Sequence, residues 1–427
     1  MGNHGMAGGH RAVRIRQGLD LDYAGAPRQV IDETVAVTAV AVLGSDYPGL
    51  RLEPLVVPGA RVQAGQPVLR DRRQPERLVV APAAGTVGEV RRGPRRSIEA
   101  VTIAVGDAAG VDFPLPTTLD RSALVSLLHA SGLWAGILSR PFGRPAELEA
   151  TPAALFLTAM DSRPHAADAA MVIAEHLPWF QRGAAALRLL TPGPCYLCHE
   201  AAHSPAPLSG ITPVGFAGPH PAGLPGTHIH HLHPVGRIPG VVWQIGYADV
   251  IALGHLLATG QVWTTRIIAL SGPAVTDPVL LRVPPGARLH DLVAGRLVQP
   301  AVRLYSGSAL DGRVQDFLAR DHLQVFALHH HAPAAPLPPL LHRLQAWMGT
   351  GIPALIPNGV HERVAPPGIL PIPLLRALST GDVDMARQLG ALALVEDDLA
   401  LLSHVDGAGT DYGVMLRAVL DELAPQP

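Results

Sequence analysis

Apolar residues in the first hundred positions come in short runs broken by Gly and Pro: VAVTAVAVLG at 35–44, LVVPG at 55–59 and RLVVAP at 77–82. Val-rich runs of this length, with turn residues between them, read as short strands. The pattern changes after residue 115. Leu124, Leu127 and Leu128 fall at i, i+3 and i+4, which predicts a helix ending near Gly132. ALFLTAM (154–160), CYLCH (195–199) and VVWQIG (241–246) are apolar runs of the buried-strand kind. They alternate with helical stretches at 171–190, interrupted at Pro178, and at 248–260, closed by Gly260. Strands alternating with helices predict an α/β layer around a largely parallel sheet. Strand signals return at 266–275 and 278–293, where a short helix starts around Ala287. From 335 onward the segments 340–348, 369–381, 383–392 and 396–405 are short and amphipathic, and Asp382 and Asp384 sit where they suit a helix dipole. The Pro/Ala run 331–339 reads as a linker.

These patterns divide the chain into four parts: a β domain at 1–115, a Rossmann-like α/β domain at 116–262, a β-grasp-type (SLBB-like) module at 263–334 and a helical domain at 335–427. The expected fold class is multidomain α/β. Within the first part, the rhythm of 56–71 and 79–90, with Gly59, Gly65 and Gly85 at turns, resembles a biotinyl/lipoyl-type barrel. Such barrels present a modified lysine at a hairpin tip. The matching stretch here is Leu69-Arg70-Asp71-Arg72-Arg73, and all 33 Lys+Arg residues of the chain are Arg. Acylation of the tip, Schiff-base chemistry and a phosphate-binding Walker lysine are thereby excluded, and the barrel is expected to be structural.

Formal net charge is −2, and the one basic tract that stands out is Arg91, Arg92, Arg95 and Arg96. A nucleic-acid binder carries a stronger electrostatic footprint, so that class is discounted. Two cysteines cannot form a disulfide framework, and a reducing compartment is expected. The N-terminal stretch has no apolar core of the signal-peptide kind. The best membrane candidate, 241–260, contains Asp249 and His255, each costly in hydrocarbon, so it is read as a buried strand and helix. Any work at a membrane then requires partners.

Two segments invite chemistry. Cys195-Tyr196-Leu197-Cys198-His199 fits the c-type haem attachment pattern, and Cys195, Cys198, His199 and His203 together have the ligand types of a zinc site. Against both stands the reading of this segment as a buried strand with inert thiols. GPHPAGLPGTHIH at 218–230 is the second: Pro219, Pro221 and Pro225 stiffen it and Gly223 and Gly226 allow tight turns. On an extended segment His228 and His230 share one face, and His231 and His233 the other. Gly218, His220, Gly223, Gly226, His228 and His230 are the candidate residues of a loop that docks a partner, lines a ligand pocket, or locks two domains together.

That string, with RQGLDLDYAGAP (16–27), LGSDYPGLRL (43–52), SGLWAGILSRPF (131–142), TAMDSRPHAADA (158–169), DVIALG (249–254), RIIALSGP (266–273) and LLRALSTGD (374–382), resembles the family of A subunits of sodium-translocating NADH:quinone oxidoreductases. The resemblance spans nearly the whole chain after the first dozen residues, which look like an extension. His231 and His233 depart from the family string. The resemblance implies a peripheral subunit on the cytoplasmic face of the bacterial inner membrane, docked on membrane-embedded partners of a complex that oxidises NADH, reduces ubiquinone and exports sodium. It implies no independent catalytic centre here, with the flavins and iron–sulfur centre on other subunits and ubiquinone as a further ligand, whose carbonyl His228 or His230 would hydrogen-bond.

The family is similar to the electron-input subunit of Rnf-type complexes and to the flavin-holding subunit of complex I. The loop matching their flavin cradle reads Ser131-Gly132-Leu133-Trp134-Ala135-Gly136, where Leu133 and Trp134 obstruct a phosphate. Asp161 and Asp168, which follow the ALFLTAM strand where those relatives face a nucleotide, are expected to make turn and cap hydrogen bonds. Leu402-Ser403-His404-Val405-Asp406 stands where cluster thiolates would be, and it has no cysteine. Two alternatives stay open: a stand-alone NADH or flavin electron-input protein, and a metal or haem protein built on Cys195, Cys198 and His199.

Overall fold

Val40, Val42, Val87, Val101 and Ile103 are buried together in one core, on strands whose neighbouring positions face elsewhere. The computed structural model, which describes residues 4–7, 10–329, 355–406 and 409–424, builds this core between two small sheets. One joins Ala39–Leu43, Ile98–Val105, Gly85–Arg92 and Arg61–Val62; the other joins Leu52–Pro54, Pro67–Asp71 and Leu78–Val80. Ala41 and Leu43 point the opposite way, onto Phe317 and Ala319 of the third module. In the stretch matching a carrier tip, Asp71 is buried while Arg72 and Arg73 are exposed. Asp71 accepts from the Arg51 and Arg73 amides, and Arg77 donates to the Ala146 carbonyl (3.0 Å) and pairs with Glu147 (2.8 Å).

The α/β layer is centred on Ala154–Ala159, buried at every position as a parallel strand covered on both faces must be. It pairs in parallel with Cys195–Glu200 on one side and Val242–Gly246 on the other, and Thr212–Ala217 continues the first side. Leu155, Leu157, Trp243 and Ile245 face the helices Leu177–Leu187 and Tyr247–Thr259; Phe156, Val214 and Phe216 face the helix Pro225–Leu232. The break expected at Pro178 falls at His176: Ala169–Glu175 ends there and Pro178 lies in the first turn of the next helix, where its missing N–H costs nothing.

The segment before Thr34 does not stay with the barrel to which the composition assigns it. His10–Arg14 pairs in parallel with Thr212–Ala217, with His4–Ala7 as a hairpin beyond it, and Arg28–Asp32 pairs in parallel with Val279–Val283. The first dozen residues thus extend the α/β sheet. The third module's sheet runs Arg313–Val314, Val302–Ser306, Gln324–His329, Arg266–Ser271, Val279–Val283, Arg28–Asp32, with the short helix Leu289–Leu292. The linker expected at 331–339 and the helix at 340–348 lie outside the described residues. Helices Gly359–Val364, Pro371–Thr380, Val383–Gln388, Glu396–Val405 and Tyr412–Leu423 follow, around Leu374, Leu375, Leu399, Leu402, Leu416 and Leu420. Asn358, Asp382 and Asp411 cap three of them.

Barrel, α/β layer and third module meet at a charged seam. Asp249 pairs with Arg266 (2.7 Å) and Arg320 (3.2 Å), and the Arg320 amide donates to Asp46 (2.9 Å). Burial pushes Asp46 up to about 7. From about pH 4, where a free aspartate ionises, up to that value, the folded chain holds a proton that the unfolded chain has released. Asp46 therefore makes stability fall as pH rises through this window. Asp46→Asn keeps the acceptor and is expected to flatten that slope, as read from thermal melting at a series of pH values.

Candidate functional site

Three parallel strands, Ala154–Ala159, Cys195–Glu200 and Thr212–Ala217, end at one crevice, the position where open α/β sheets take ligands. Its volume is about 450 Å³. Asp20, Asp161, Asp168 and Glu200 line it with Gln29, Ser162 and His203, and among the described residues no arginine does. A wall with that excess of carboxylates repels a phosphate. Asp168 caps the helix Ala169–Glu175, accepting from the Ala170 amide at 2.8 Å, and its own amide donates to Gln29 Oε1 (2.8 Å). Asp161 accepts from the Arg163 amide (2.9 Å) and pairs with its guanidinium. Both acids make the turn and cap bonds expected of strand-end carboxylates.

The loop matching a flavin cradle is filled. Gly132, at φ +72°, ends the helix Arg121–Ala130, and Leu133–Gly136 then forms one tight turn. Trp134 is buried; its Nε1–H donates to the Ala146 carbonyl at 2.8 Å. Its ring lies 4.5 Å from His129 and edge-on to Trp243 at 5.4 Å.

The 218–230 string is a junction, and its end is helical. Gly218 abuts Ile15 of the N-terminal segment. The His220 amide donates to Asp20 (2.9 Å), its Nδ1 lies 3.0 Å from Ser162 Oγ, and the Gly223 amide donates to that same hydroxyl (2.8 Å). Burial, reinforced by the Arg163 guanidinium, pushes His220 down to about 4. Gly226 opens the helix Pro225–Leu232 against Asp398, and a methyl group there would collide with the carboxylate. The extended arrangement expected for the histidines is therefore replaced: His228 and His231 are helical neighbours at i, i+3. His228 is wholly buried, its Nε2–H donates to the Ala222 carbonyl (3.0 Å), and burial pushes it down to about 3. His230 is half-buried against Gly368.

Two arginines that the sequence patterns do not single out complete this junction. Arg140, fully buried, pairs with Asp398 (2.9 Å) and donates to Gln244 (3.1 Å) and the Ala393 carbonyl (3.2 Å). Arg163 holds three carboxylates from three parts of the chain: Asp161 (3.3 Å), Asp311 (2.5 Å) and Asp397 (2.6 Å). Burial alone would raise Asp311, but Arg163, His322 and the Ser308 hydroxyl and amide together outweigh it and hold the group below the usual carboxylate range.

The cysteine pair is not assembled for ligation. On the strand Cys195–Glu200 the two thiols fall on opposite faces of the sheet, Cys195 among Leu155 and Trp243 and Cys198 among Phe156 and Phe216. One haem or one zinc ion cannot reach both. His199 lies on the Cys195 face of the strand, its Nδ1 2.8 Å from the Glu200 carbonyl oxygen, and His203 lies in the crevice wall beside Glu200 (3.4 Å). Burial pushes the Cys195 thiol up to about 12 and Cys198 upward as well. Neither thiol is expected to react with a disulfide reagent in the folded chain at neutral pH, and both should react once it is denatured.

A barrel, an α/β layer and a third β module, clamped by buried ion pairs beside an acidic crevice, define a multimodule α/β chain. Comparison with known proteins gives this architecture its family. The model of the NqrA N-terminal barrel-sandwich hybrid domain matches residues 13–106, that of the NqrA second alpha/beta domain matches 119–262, and that of the NQRA C-terminal domain matches 267–316. The chain is 41% identical to the A subunit of the Na(+)-translocating NADH-quinone reductase of Serratia proteamaculans (strain 568), over 96% of this chain and 99% of that one. The proteins of the same name from Rhodopirellula baltica and Pseudomonas aeruginosa (strain UCBPP-PA14) are 39% and 41% identical, over 96% and 95% of this chain and 98% of each relative. Among solved structures, an air-oxidized NAD+-reducing NiFe-hydrogenase is similar at a TM-score of 0.39 and 15% identity, over 72% of this chain and 62% of that one. The chain belongs to the family of A subunits of Na(+)-translocating NADH-quinone reductases.

Proposed function

We propose that this chain is the A subunit of a sodium-pumping NADH:quinone reductase and serves it as a peripheral scaffold. The observation that carries this is the near-full-length identity to A subunits over every module. Among the described residues no helix is long and apolar enough to cross a membrane, which accords with a chain held at the membrane by others. On this reading the partners are the membrane-embedded subunits, the quinone is ubiquinone, and the site of work is the cytoplasmic face of the bacterial inner membrane. The chain holds no flavin, haem or iron–sulfur cluster; NADH oxidation and quinone reduction take place on other subunits. Support for that division comes from the indole that fills the cradle loop and from the carboxylates of the crevice.

The 218–230 segment then serves as a lock between modules rather than as a quinone contact. Its histidines at 220 and 228 are enclosed by the chain itself. His228→Ala and His230→Ala are expected to leave quinone affinity unchanged. The subunit reading is tested by affinity purification of the tagged chain from detergent-solubilised native membranes, assayed for sodium-stimulated NADH:quinone reductase activity. Co-purifying activity supports it. A chain that comes down alone and inactive from membranes that contain the active complex overturns it.

A further inference from the structure

The basic tract is the sequence motif that the scaffold role leaves unused. Arg91, Arg92, Arg95 and Arg96 form the turn between Gly85–Arg92 and Ile98–Val105, the longest hairpin of the barrel, and all four side chains are exposed. Several arginines elsewhere in the chain are spent on buried internal pairing, as at positions 77, 140, 163, 266 and 320. At the tip, Arg91 pairs with Glu99 (3.4 Å), and Arg92 donates to the Arg96 carbonyl (3.3 Å). Among the described residues Arg92, Arg95 and Arg96 make no ion pair. Arg95 and Arg96 both hold left-handed backbone, at φ +54° and +60°. Non-glycine residues rarely adopt that conformation.

We infer that this hairpin tip is a contact surface for anionic lipid headgroups. A convex turn with a fixed fan of guanidiniums matches a flat array of phosphates, because each fork can take two oxygens at once. The chain as a whole carries net charge −2, so the attraction is local to the tip rather than a property of the surface at large. The inference rests on the reading that the chain works at a membrane. There the tip fixes the orientation of the barrel, while protein partners supply the main hold.

The test uses the full chain with two kinds of vesicle, phosphatidylcholine alone and phosphatidylcholine mixed with phosphatidylglycerol, by co-sedimentation at low and high salt. Binding to the anionic vesicles only, weakened by salt, is expected. A basic side chain near an anionic surface contributes a factor of about 5, so R95Q/R96Q is expected to lose roughly 25-fold in partition. R91Q/R92Q/R95Q/R96Q should abolish measurable binding, with an unchanged melting temperature showing that the barrel is intact. Absence of wild-type binding to phosphatidylglycerol vesicles overturns the inference, as does equal binding by R95Q/R96Q. If vesicles are ignored but the quadruple variant no longer co-purifies with the membrane subunits, the ligand is an acidic protein segment and the lipid assignment falls. Co-purification of the wild type is scored separately, so failure of the subunit reading is distinguishable from failure of the tip.

Discussion

Arg140→Ala is expected to destabilise the docking of the C-terminal helices by about 3–5 kcal/mol, the cost of leaving a buried carboxylate without its partner. The pair joins the strand Leu138–Arg140 to the helix Glu396–Val405, with both side chains almost wholly enclosed. Coulomb attraction between exposed ions is small, but here water is excluded and Asp398 has few other donors, the Val395 amide (2.9 Å) being one. Hydrogen exchange is the measurement that separates local from global loss: amides of Glu396–Val405 should exchange far faster in the variant, while those of Ala154–Ala159 keep their protection. Equal protection of the helix in both proteins would show that the pair contributes little.

The second large effect is at Arg163. Arg163→Met removes the one cation between Asp161, Asp311 and Asp397 and leaves three carboxylates facing one another. The expected cost is about 3 kcal/mol above neutral pH. Its pH dependence has a definite sign. In the wild type, Asp311 sits below its ordinary value, so its contribution is present above about pH 4 and is lost in acid. In the variant the carboxylates repel, their folded values rise, and the deficit grows with pH and shrinks as they take up protons. Denaturation midpoints at acidic and alkaline pH give the comparison; a deficit independent of pH would assign the effect to lost packing. Because Asp397 and Asp398 are neighbours on one helix, the Arg140→Ala and Arg163→Met effects should not add: once the helix is released, the second loss costs less.

The unbroken apolar runs at 154–160, 195–199 and 241–246 are legible as parallel strands because burial on both faces demands it. Gly132, Gly260 and Gly381 mark helix ends for the same kind of local reason. The helix Pro225–Leu232 is not legible. Its sequence, PGTHIHHL, has Pro and Gly in front and histidines where a helix would show a clear apolar stripe; Ile229 and the buried His228 supply that face only once Phe216 lies beneath them. The strands His10–Arg14 and Arg28–Asp32 escape a local reading because their partners are remote in sequence. The ionic junction is hidden for a related reason. Arg140 and Arg163 lie in strings that carry the family resemblance, yet nothing local says that their partners are Asp398, Asp311 and Asp397. Only the packed topology brings those charges together.

The N-terminal strands have a consequence for biosynthesis. Residues 10–14 leave the ribosome well before the strand they lie against, Thr212–Ala217, which is made only after the barrel and much of the α/β layer. Arg28–Asp32 waits longer still, for Val279–Val283. The barrel can close early on its own local hairpins, whereas two sheet edges stay open through most of translation. A nascent chain stalled before residue 212 should therefore carry a protease-sensitive N-terminus beside a protected barrel, and fragments cut at the barrel's boundary should leave both later sheets an edge short.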